Sequence, residues 1–412
     1  MKAGWAIKSL RDLCTFKPPK SEAKAKLCAT DKVSFASMDV LGIDRMYLES
    51  SDARSFSEVA GSYTYFADGD VLLAKITPCF ENGKLGIARN LVNGIGFGSS
   101  EYFVIRPNSE LTATYLYYFL LQPSFREEGA KSMTGAVGHK RVSKEFLESH
   151  NIPVPPVAEQ RRIVAILDEA FDGLSTAKAN AEKNLQNARA LFESHLQAVF
   201  TQRSEGWVEK KLGDTSILKI IDGDRGSNYP SKEDFSDEGF CLFINTKNVR
   251  PDGFNFDTTM FISEEKDKVL RKGKLQRQDV ILTTRGTIGN VAIFDEDVEF
   301  ENIRINSGML IFRPNTGKIL PSFLFEVFRS GIMKSQMTRH VSGAAQPQLP
   351  IKTLINFKIP VPNKLESQRA IVASVREIDS ETHRLESIYQ RKLTALDALK
   401  KSLLHQAFSG EL

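Results

Sequence analysis

The sequence predicts an α+β fold in which two similar mixed α/β globular domains are separated by two long antiparallel helices that form a coiled coil. Three observations predict it. Landmarks recur about 208 residues apart, each half begins with short strands and short helices, and each half ends in a long heptad pattern. The length of 412 residues fits roughly two to three domains.

The internal repeat rests on landmarks that keep their order along the chain. These pairs recur at offsets between 202 and 209 residues: Gly4-Trp5 with Gly206-Trp207, Asp70 with Asp279, and Gln160 with Gln368. The stretch SMTGAVGHKRV recurs as HVSGAAQPQLP, and QAVF recurs as HQAF. One ancestral half is therefore used twice in the chain.

Each half divides into a globular part and a helix. Segments such as VLLAKI, YFVIRP, VILTT and MLIFRP predict short strands, and the prolines of IPVPP and IPVP close the globular part. The predicted domains are 1–155, a central helix over 156–204, 205–361, and a C-terminal helix over 362–412.

The two helices carry apolar stripes that must be buried, and we expect them to bury each other as an antiparallel pair with the globular domains at opposite ends. In the alternative, each helix folds back on its own domain. The predicted seam includes Leu191 and Leu399. Asn184 and Lys392 occupy equivalent heptad positions, where they either fix the register or face solvent.

Composition excludes several classes of protein. The net charge is only +4, so any nucleic-acid contact must come from placed residues and not from bulk charge. The four cysteines form no C-x-x-C pair, which argues against a zinc cluster or a disulfide framework and favours reduced thiols in the cytoplasm. We expect no membrane span, because no run of about 18 apolar residues occurs.

Two related but diverged domains on a rigid stalk match the symmetry of duplex DNA. The two half-sites that such domains bind would then differ in sequence.

The family resemblance rests on four segments. These segments, IPVPPVAEQRRIVAILDEAFDGL, IPVPNKLESQRAIVASVREID, SGAAQPQLP and DGDRGSNYP, resemble the specificity subunit of type I restriction-modification systems. The sequence departs from the family pattern at Asn363, which replaces a proline, and near His139, where a glutamine is expected.

This resemblance implies a non-catalytic subunit. Each globular domain, called a target recognition domain in that family, would read half of a bipartite double-stranded DNA target. The helices would set the spacer and dock two methyltransferase (modification) subunits, and restriction subunits would join in the full complex.

The sequence offers no chemistry of its own. No N-P-P-[FY] or D-P-P-Y motif of a methyltransferase occurs, the glycines of NGIGFGSS predict a turn between strands, and CFENGK lacks the spacing of a P-loop. We therefore expect no cofactor and no metal site. Two alternatives stay open: a diverged sequence-specific DNA methyltransferase or nuclease that acts alone, and a coiled-coil scaffold without a DNA role.

Polar, glycine-flanked loops at equivalent places in both halves are the candidate DNA-binding segments, because Arg and Lys suit guanine while Asn and Gln suit adenine. The candidates in the first half are Lys75, Thr77, Asn82, Lys84, Thr134, His139, Lys140 and Arg141. Those in the second half are Arg225, Asn228, Tyr229, Thr284, Arg285, Thr287, Asn290, Gln346 and Gln348. The alternative is that these segments are solvated turns.

Further polar groups have two interpretations each. The starts of the long helices carry Gln160, Arg161, Arg162, Gln368 and Arg369, which either bind a partner or cap and pack the helices. Two basic stretches either contact phosphates or are solvated: Lys17, Lys20, Lys24 and Lys26, and Arg271, Lys272, Lys274 and Arg277.

Overall fold

The chain forms two compact units in a computed structural model that describes residues 4–49, 52–136, 138–203, 205–341 and 347–412. The first unit comprises residues 1–182 and 391–412, and the second comprises residues 183–390. Each long helix therefore contributes one of its halves to each unit.

The first repeat contains these elements in chain order: β1 (Ala6–Ser9), α1 (Leu10–Leu13), β2 (Cys14–Phe16), α2 (Ser21–Lys24), β3 (Lys32–Ala36), β4 (Asp52–Ser55), α3 (Phe56–Val59), β5 (Thr64–Ala67), β6 (Val71–Ala74), β7 (Leu85–Ile87), β8 (Ile95–Gly98), β9 (Tyr102–Pro107), α4 (Ala113–Leu120), α5 (Pro123–Lys131), α6 (Lys144–Ser149), β10 (Asn151–Val154) and α7 (Val157–Thr201). A short 3₁₀ helix covers Val92–Gly94.

The second repeat continues with β11 (Trp207–Lys211), β12 (Leu218–Asp222), β13 (Cys241–Ile244), β14 (Val249–Arg250), β15 (Gly253–Phe254), β16 (Phe261–Ile262), α8 (Glu264–Val269), β17 (Asp279–Thr283), β18 (Val291–Phe294), β19 (Ile303–Ile305), β20 (Met309–Pro314), α9 (Pro321–Arg329), α10 (Gly331–His340), α11 (Ile351–Leu354), β21 (Lys358–Pro362) and α12 (Leu365–Ser409). Short 3₁₀ helices cover Lys232–Asp234 and Thr246–Asn248.

The larger sheet repeats with the same strand order, and the smaller sheet repeats except that, within the part of the chain that the structure describes, β5 has no counterpart in the sheet of the second unit. An antiparallel sheet has the strand order β2-β9-β6-β7 in the first unit and β12-β20-β17-β18 in the second. A smaller sheet has the order β4-β3-β8-β5 in the first unit and β16-β13-β19 in the second, and in both it contains one parallel pair. The repeat read from the sequence is thus a repeat of the fold.

The inner strands β6 and β17 of the larger sheets have continuous apolar sequences because both of their faces are covered. In β6, Val71 and Leu73 lie in one core while Leu72 and Ala74 lie in another. Successive side chains of a strand point to opposite faces, so a strand covered on both sides carries apolar residues at every position. Strand β17 is buried along its whole length in the same way.

The long helices pack against each other as an antiparallel pair within each unit. In the first unit Lys178 Nζ lies 3.1 Å from Asp397 Oδ1, and the Arg162 guanidinium donates to the Leu412 carbonyl at 2.8 Å. In the second unit Arg189 Nε lies 2.6 Å from Glu386 Oε1. Residue numbers fall along α12 as they rise along α7, so the predicted antiparallel pairing is confirmed.

The end of each long helix enters the core of the other repeat. Phe408, at the end of α12, packs on Tyr115 of the first repeat with ring centroids 4.9 Å apart. Phe200, at the end of α7, packs on Phe323 of the second repeat at 5.7 Å. Because Tyr115 and Phe323 are 208 residues apart, the two contacts are equivalent, and the alternative of helices that fold back on their own domains is wrong.

The predicted seam needs correction at two positions. Leu191 and Leu399 are 58% and 47% exposed, whereas Phe192 and Leu404 are buried. A straight helix drifts by about 20° per heptad relative to a 3.5-residue repeat, so the buried stripe moves off the predicted positions. Asn184 and Lys392 are exposed, which favours the interpretation that they face solvent.

All four cysteines are free thiols, and burial raises the pKa of Cys241 to about 12. Among the described residues, no helix combines the length and the apolar character that crossing a membrane would require.

Candidate nucleic-acid interface

An ion pair between a half-buried arginine and a buried aspartate anchors the larger sheet of each unit. Arg106 Nε lies 2.6 Å from Asp70 Oδ1 and its Nη2 lies 2.8 Å from Oδ2. Arg313 holds Asp279 in the same two-point geometry, with both distances 2.8 Å. Both carboxylates are fully buried. The two-point geometry ties β6 to β9 in the first unit and β17 to β20 in the second. The candidate segments begin at the opposite ends of β6 and β17, at Lys75 and Thr284.

Two predicted loops of the first unit meet at Lys75. Its backbone N–H donates to the Glu101 carbonyl at 3.0 Å, and its carbonyl accepts from Val142 N–H at 2.9 Å. Thr77 N–H donates to the Lys140 carbonyl at 2.9 Å. The segment after β6 and the segment around Lys140 therefore form one surface.

The second unit repeats this arrangement around Thr284. Thr284 N–H donates to the Gly308 carbonyl at 2.8 Å, and the Thr284 carbonyl accepts from Leu349 N–H at 2.9 Å. Gly286 N–H donates to the Pro347 carbonyl at 3.0 Å, and Arg285 bridges to Gln348. Equivalent backbone bonds thus bring equivalent loops together in both units. Gln346 lies outside the described residues.

The side chains on these two surfaces differ. In the first unit Arg141 binds Glu101 through two hydrogen bonds of 2.9 Å, and these bonds lower the pKa of the Glu101 carboxyl. His139 and Lys140 are exposed beside them, as is Thr134, whose backbone pairs with that of Arg141.

The third predicted loop of the second unit reaches the same surface. Arg225 Nη2 lies 3.3 Å from the Ser307 carbonyl and 3.2 Å from Asp222 Oδ1. Asn228 donates to the Val269 carbonyl at 3.3 Å, and the Tyr229 ring packs on Phe243 with centroids 5.8 Å apart. Of these side chains, Arg225 is the one that lies beside the Ser307-Gly308 turn.

One residue of this surface was missed by the sequence reasoning. A methyl group placed on Gly308 would lie 3.1 Å from Thr246 Cγ2 and 3.8 Å from Arg285 Cβ, so the segment 246–248 contacts the candidate loops. Its Lys247 is exposed. The sequence contains a signal for this residue, because the polar segment NTKN directly follows the buried strand CLFI. The first half carries Asp39 at the position equivalent to Lys247.

Three candidates bond inward. Thr284 Oγ1 donates to the Gly308 carbonyl at 3.1 Å, and Asn290 Nδ2 donates to the Val249 carbonyl at 2.8 Å; both residues are buried. Lys84 Nζ donates to the Met38 carbonyl at 2.8 Å. Thr284 and Asn290 therefore position their loops, and we do not propose them as base contacts. Lys84 uses one of its three N–H donors in its internal bond.

The remaining candidates stay at the surface. Thr77 Oγ1 donates to Glu81 Oε1 at 2.8 Å, and its side chain is half-buried. Exposed side chains occur at Asn82, Thr287 and Gln348.

The helix-start glutamines pack inside the units. Gln160 is fully buried; it accepts from Thr112 N–H at 2.9 Å and donates to the carbonyls of Glu110 and Pro155 at 2.7 and 2.9 Å. Gln368 makes the equivalent bonds to Leu320, Lys318 and Pro362. Capping and packing is therefore the correct interpretation for both glutamines, and partner binding is not.

The neighbouring arginines are exposed. Arg162 pairs with Glu159 at 2.7 Å and Arg369 lies 3.7 Å from Glu366. Together with Arg161 they stay candidate partner contacts.

The basic stretches are partly engaged. Lys20 Nζ donates to the carbonyls of Ala60 and Gly61 at 3.0 and 2.8 Å, and its pKa is lowered by burial and by the charges of Lys17 and Lys24. Lys26 is exposed.

In the second stretch, Arg277 donates to the Val298 carbonyl at 2.9 Å and Lys274 pairs with Asp267. Arg271 and Lys272 are exposed. Only part of each stretch is therefore available to phosphates.

Comparison with known families decides the assignment. The model of the type I restriction modification DNA specificity domain family matches residues 2–185 and again residues 204–394. The chain belongs to this family. The two matches to the specificity-domain family correspond to the two repeats of sequence and fold.

Curated relatives carry names from the same systems. The type I restriction enzyme EcoEI specificity subunit from Escherichia coli is 39% identical over 165 residues, which is 39% of this chain and 27% of the relative. The EcoAI specificity subunit from Escherichia coli is 38% identical over 148 residues, 35% of this chain and 25% of the relative. The matches thus span about a quarter of the length of these two specificity subunits.

A longer match is to the type I restriction enzyme MjaVIII specificity subunit from Methanocaldococcus jannaschii. It is 26% identical over 381 residues, which cover 89% of this chain and 84% of the relative.

Solved structures share the fold of this specificity-family chain. A chain from a study of complex assembly and conformational transition of the type I R-M system has a TM-score of 0.80 at 19% identity and covers 100% of this chain and 99% of its own. The HsdS subunit from Thermoanaerobacter tengcongensis has a TM-score of 0.66 at 19% identity and covers 100% and 98%.

Proposed function

We propose that this chain is the non-catalytic DNA-specificity subunit of a type I restriction-modification complex, in which residues 1–155 and 205–361 are two target recognition domains that each read one half of a bipartite DNA target. The observation that carries the proposal is the pair of equivalent loop surfaces around Lys75 and Thr284. The same backbone bonds build both surfaces, whereas the side chains they present are different, as two readers of unlike half-sites require.

The chemistry of the second surface suits direct reading of bases. Arg225, Lys247 and Arg285 supply cationic donors that match guanine, and Gln348 supplies the paired donor and acceptor that match adenine. Arg225, Lys247 and Arg285 lie on loops next to the Ser307-Gly308 turn. Gln348 pairs with Arg285 through a backbone bridge. We assign them to one half-site.

The paired long helices, residues 156–204 and 362–412, set the spacer between half-sites and dock two methyltransferase subunits, with restriction subunits joining in the full complex. Support comes from the repeat itself, because two equivalent halves offer two equivalent docking surfaces. Leu191 and Leu399 stand 208 residues apart and are both exposed on these helices. The place of action is the cytoplasm, where bacterial and archaeal DNA lies.

An activity assay tests the non-catalytic assignment. The purified chain, the methyltransferase subunit encoded with it, and the mixture are each incubated with DNA, S-adenosylmethionine and Mg²⁺. We expect site-specific methylation by the mixture and neither methylation nor cleavage by the chain alone. Turnover by the chain alone would show instead that it is a diverged enzyme.

A further inference from the structure

The second unit contains an open cleft of about 970 Å³ that the proposed reading of DNA does not use. It lies between α9, α12, the β14–β15 hairpin and the loop after β18. Phe254 and Phe256 stack along it with centroids 5.2 Å apart, and the edge of Phe300 meets Phe256 at 5.0 Å. All three rings are half-buried. The rings pack against the core of the unit and give the cleft one apolar wall beside its charged groups.

The charge of the cleft excludes nucleic acid. Six of its lining side chains are carboxylates and two are arginines. Arg329 is already held within the cleft, with Nη2 3.2 Å from Asp379 Oδ1 and Nη1 3.2 Å from Glu326 Oε2. Asp252, Asp297 and Glu299 are exposed. A DNA backbone would be repelled here, whereas a lysine- or arginine-bearing segment would be attracted.

Glu326 adds a buried acceptor at the floor. Its side chain is 3% exposed, and burial, aided by the charge of Asp379, raises the pKa of its carboxyl to about 7 although Arg329 and Arg376 oppose the rise. His383 lines the same cleft from α12. A cation that enters the cleft would restore the ionised carboxylate, which further favours a basic occupant.

The first unit has a cleft of about 410 Å³ at the corresponding place, lined by α4, α7, the segment 44–47 and Lys400 of α12, whose Nζ lies 2.7 Å from Asp44 Oδ1. Tyr118 stands 208 residues before Glu326, and Asp168 stands 208 residues before Arg376. Aromatic rings and acids line this cleft too: Tyr117 and Phe171 are among them, and the Tyr118 hydroxyl donates to Asp168 at 2.5 Å. Aromatic rings and carboxylates therefore line a cleft at this place in both units, and the first cleft carries Lys400 in addition.

We infer that the aromatic and acidic cleft of each unit receives a basic segment with apolar side chains from a methyltransferase subunit, one copy per unit. The identity of this partner rests on the proposed function, whereas the location and the chemistry of the contact rest on the two clefts. Electrostatic attraction would steer the segment in, and the aromatic wall would bury its apolar side chains.

Charge reversal in the larger cleft tests the inference. The full-length variant Asp297→Lys/Glu299→Lys is titrated with the methyltransferase subunit encoded with it, and binding is measured by calorimetry at several salt concentrations. We expect the Kd to rise at least about tenfold and its dependence on salt to weaken. The matched control Glu264→Lys/Glu265→Lys reverses two exposed acids on α8, outside the cleft, and should change the Kd by less than about threefold.

The outcomes separate the inference from the proposed function. If the wild-type chain binds the methyltransferase and the cleft variant binds it equally well, the inference is wrong and the proposed function stands. If the wild-type chain does not bind the methyltransferase at all, both are wrong. A melting temperature equal to that of the wild type shows that the variant is folded, and the single variant Asp297→Lys replaces the double variant if it is not.

Discussion

Glu101 holds the guanidinium of Arg141 through two hydrogen bonds of 2.9 Å at the centre of the first unit's candidate surface. The equivalent places in the second unit carry Gly308 and Gln348. The two surfaces therefore differ in how their cations are held: Arg141 is neutralised by a carboxylate, whereas Arg285 has a glycine beside it.

Glu101→Gln should release Arg141. The freed guanidinium would gain a contact with a phosphate or a base, so the affinity of the assembled complex for target DNA should rise. The slope of log affinity against log salt should steepen by about one. Binding to a labelled duplex across a salt series measures both quantities.

The control for this substitution is Glu49→Gln, which removes the carboxylate that pairs with exposed Arg45 at 2.9 Å. It should leave affinity and slope unchanged. Equal slopes for wild type and Glu101→Gln would mean that Arg141 does not approach DNA.

Lys247→Ala and Arg285→Ala should weaken recognition of one half-site only. Loss of a base contact costs roughly 1–3 kcal/mol and relaxes the preference at one position, whereas loss of a phosphate contact lowers affinity uniformly. Competition with duplexes mutated in each half-site distinguishes these results. Lys211→Ala, which removes an exposed lysine on β11, is the control. Effects spread over both half-sites would argue against the assignment of these residues to one domain.

Gln368→Ala should destabilise the second unit. The substitution leaves the Leu320 N–H and two carbonyls without their partners in a fully buried position. Each unsatisfied buried group costs about 1–3 kcal/mol. Urea unfolding measures the loss in the free energy of unfolding. Gln160→Ala should have the same effect in the first unit. Gln186→Ala, at an exposed position of α7, should have no measurable effect; a similar loss there would contradict the buried-bond explanation.

Glu326→Gln should change how stability depends on pH. Burial raises the pKa of this carboxyl to about 7 from 4.5, so the folded state binds the proton more tightly than the unfolded state. The stability from this group is present below about pH 4.5 and is lost as pH rises towards 7. The variant should lose this decline and be more stable at pH 8 by roughly 1–3 kcal/mol. Melting temperatures of the wild type and the variant from pH 5 to pH 8 test this expectation. Parallel curves for the two proteins would show that the Glu326 carboxyl is ionised over the whole range.

The sequence predicted the repeat and the helix pair because both depend on long-range periodicity. Five landmarks that keep their order, at offsets within a few residues of each other, are enough to predict two equivalent folds, and a heptad pattern over a long run specifies a buried stripe. The exact stripe was not predictable, since the drift of a straight helix exposes Leu191 and Leu399 although both fit the pattern.

The candidate surfaces were predictable as loops but not as side chains. Thr284 and Asn290 have the same polar character as exposed Thr287, and only the neighbouring Gly308 and Val249 carbonyls draw them inward. Lys247 was missed because its segment follows a strand of the smaller sheet, and the contact with Gly308 depends on how the two sheets meet.

The central claim is that two separate domains read two separate half-sites. Sequencing of methylated bases in DNA modified by the assembled complex tests it most directly, with residues 1–155 exchanged for those of another family member. We predict two short half-sites with an unspecific spacer, of which the exchange replaces one and leaves the other and the spacer unchanged. A single continuous target, or a change in both half-sites at once, would contradict the account.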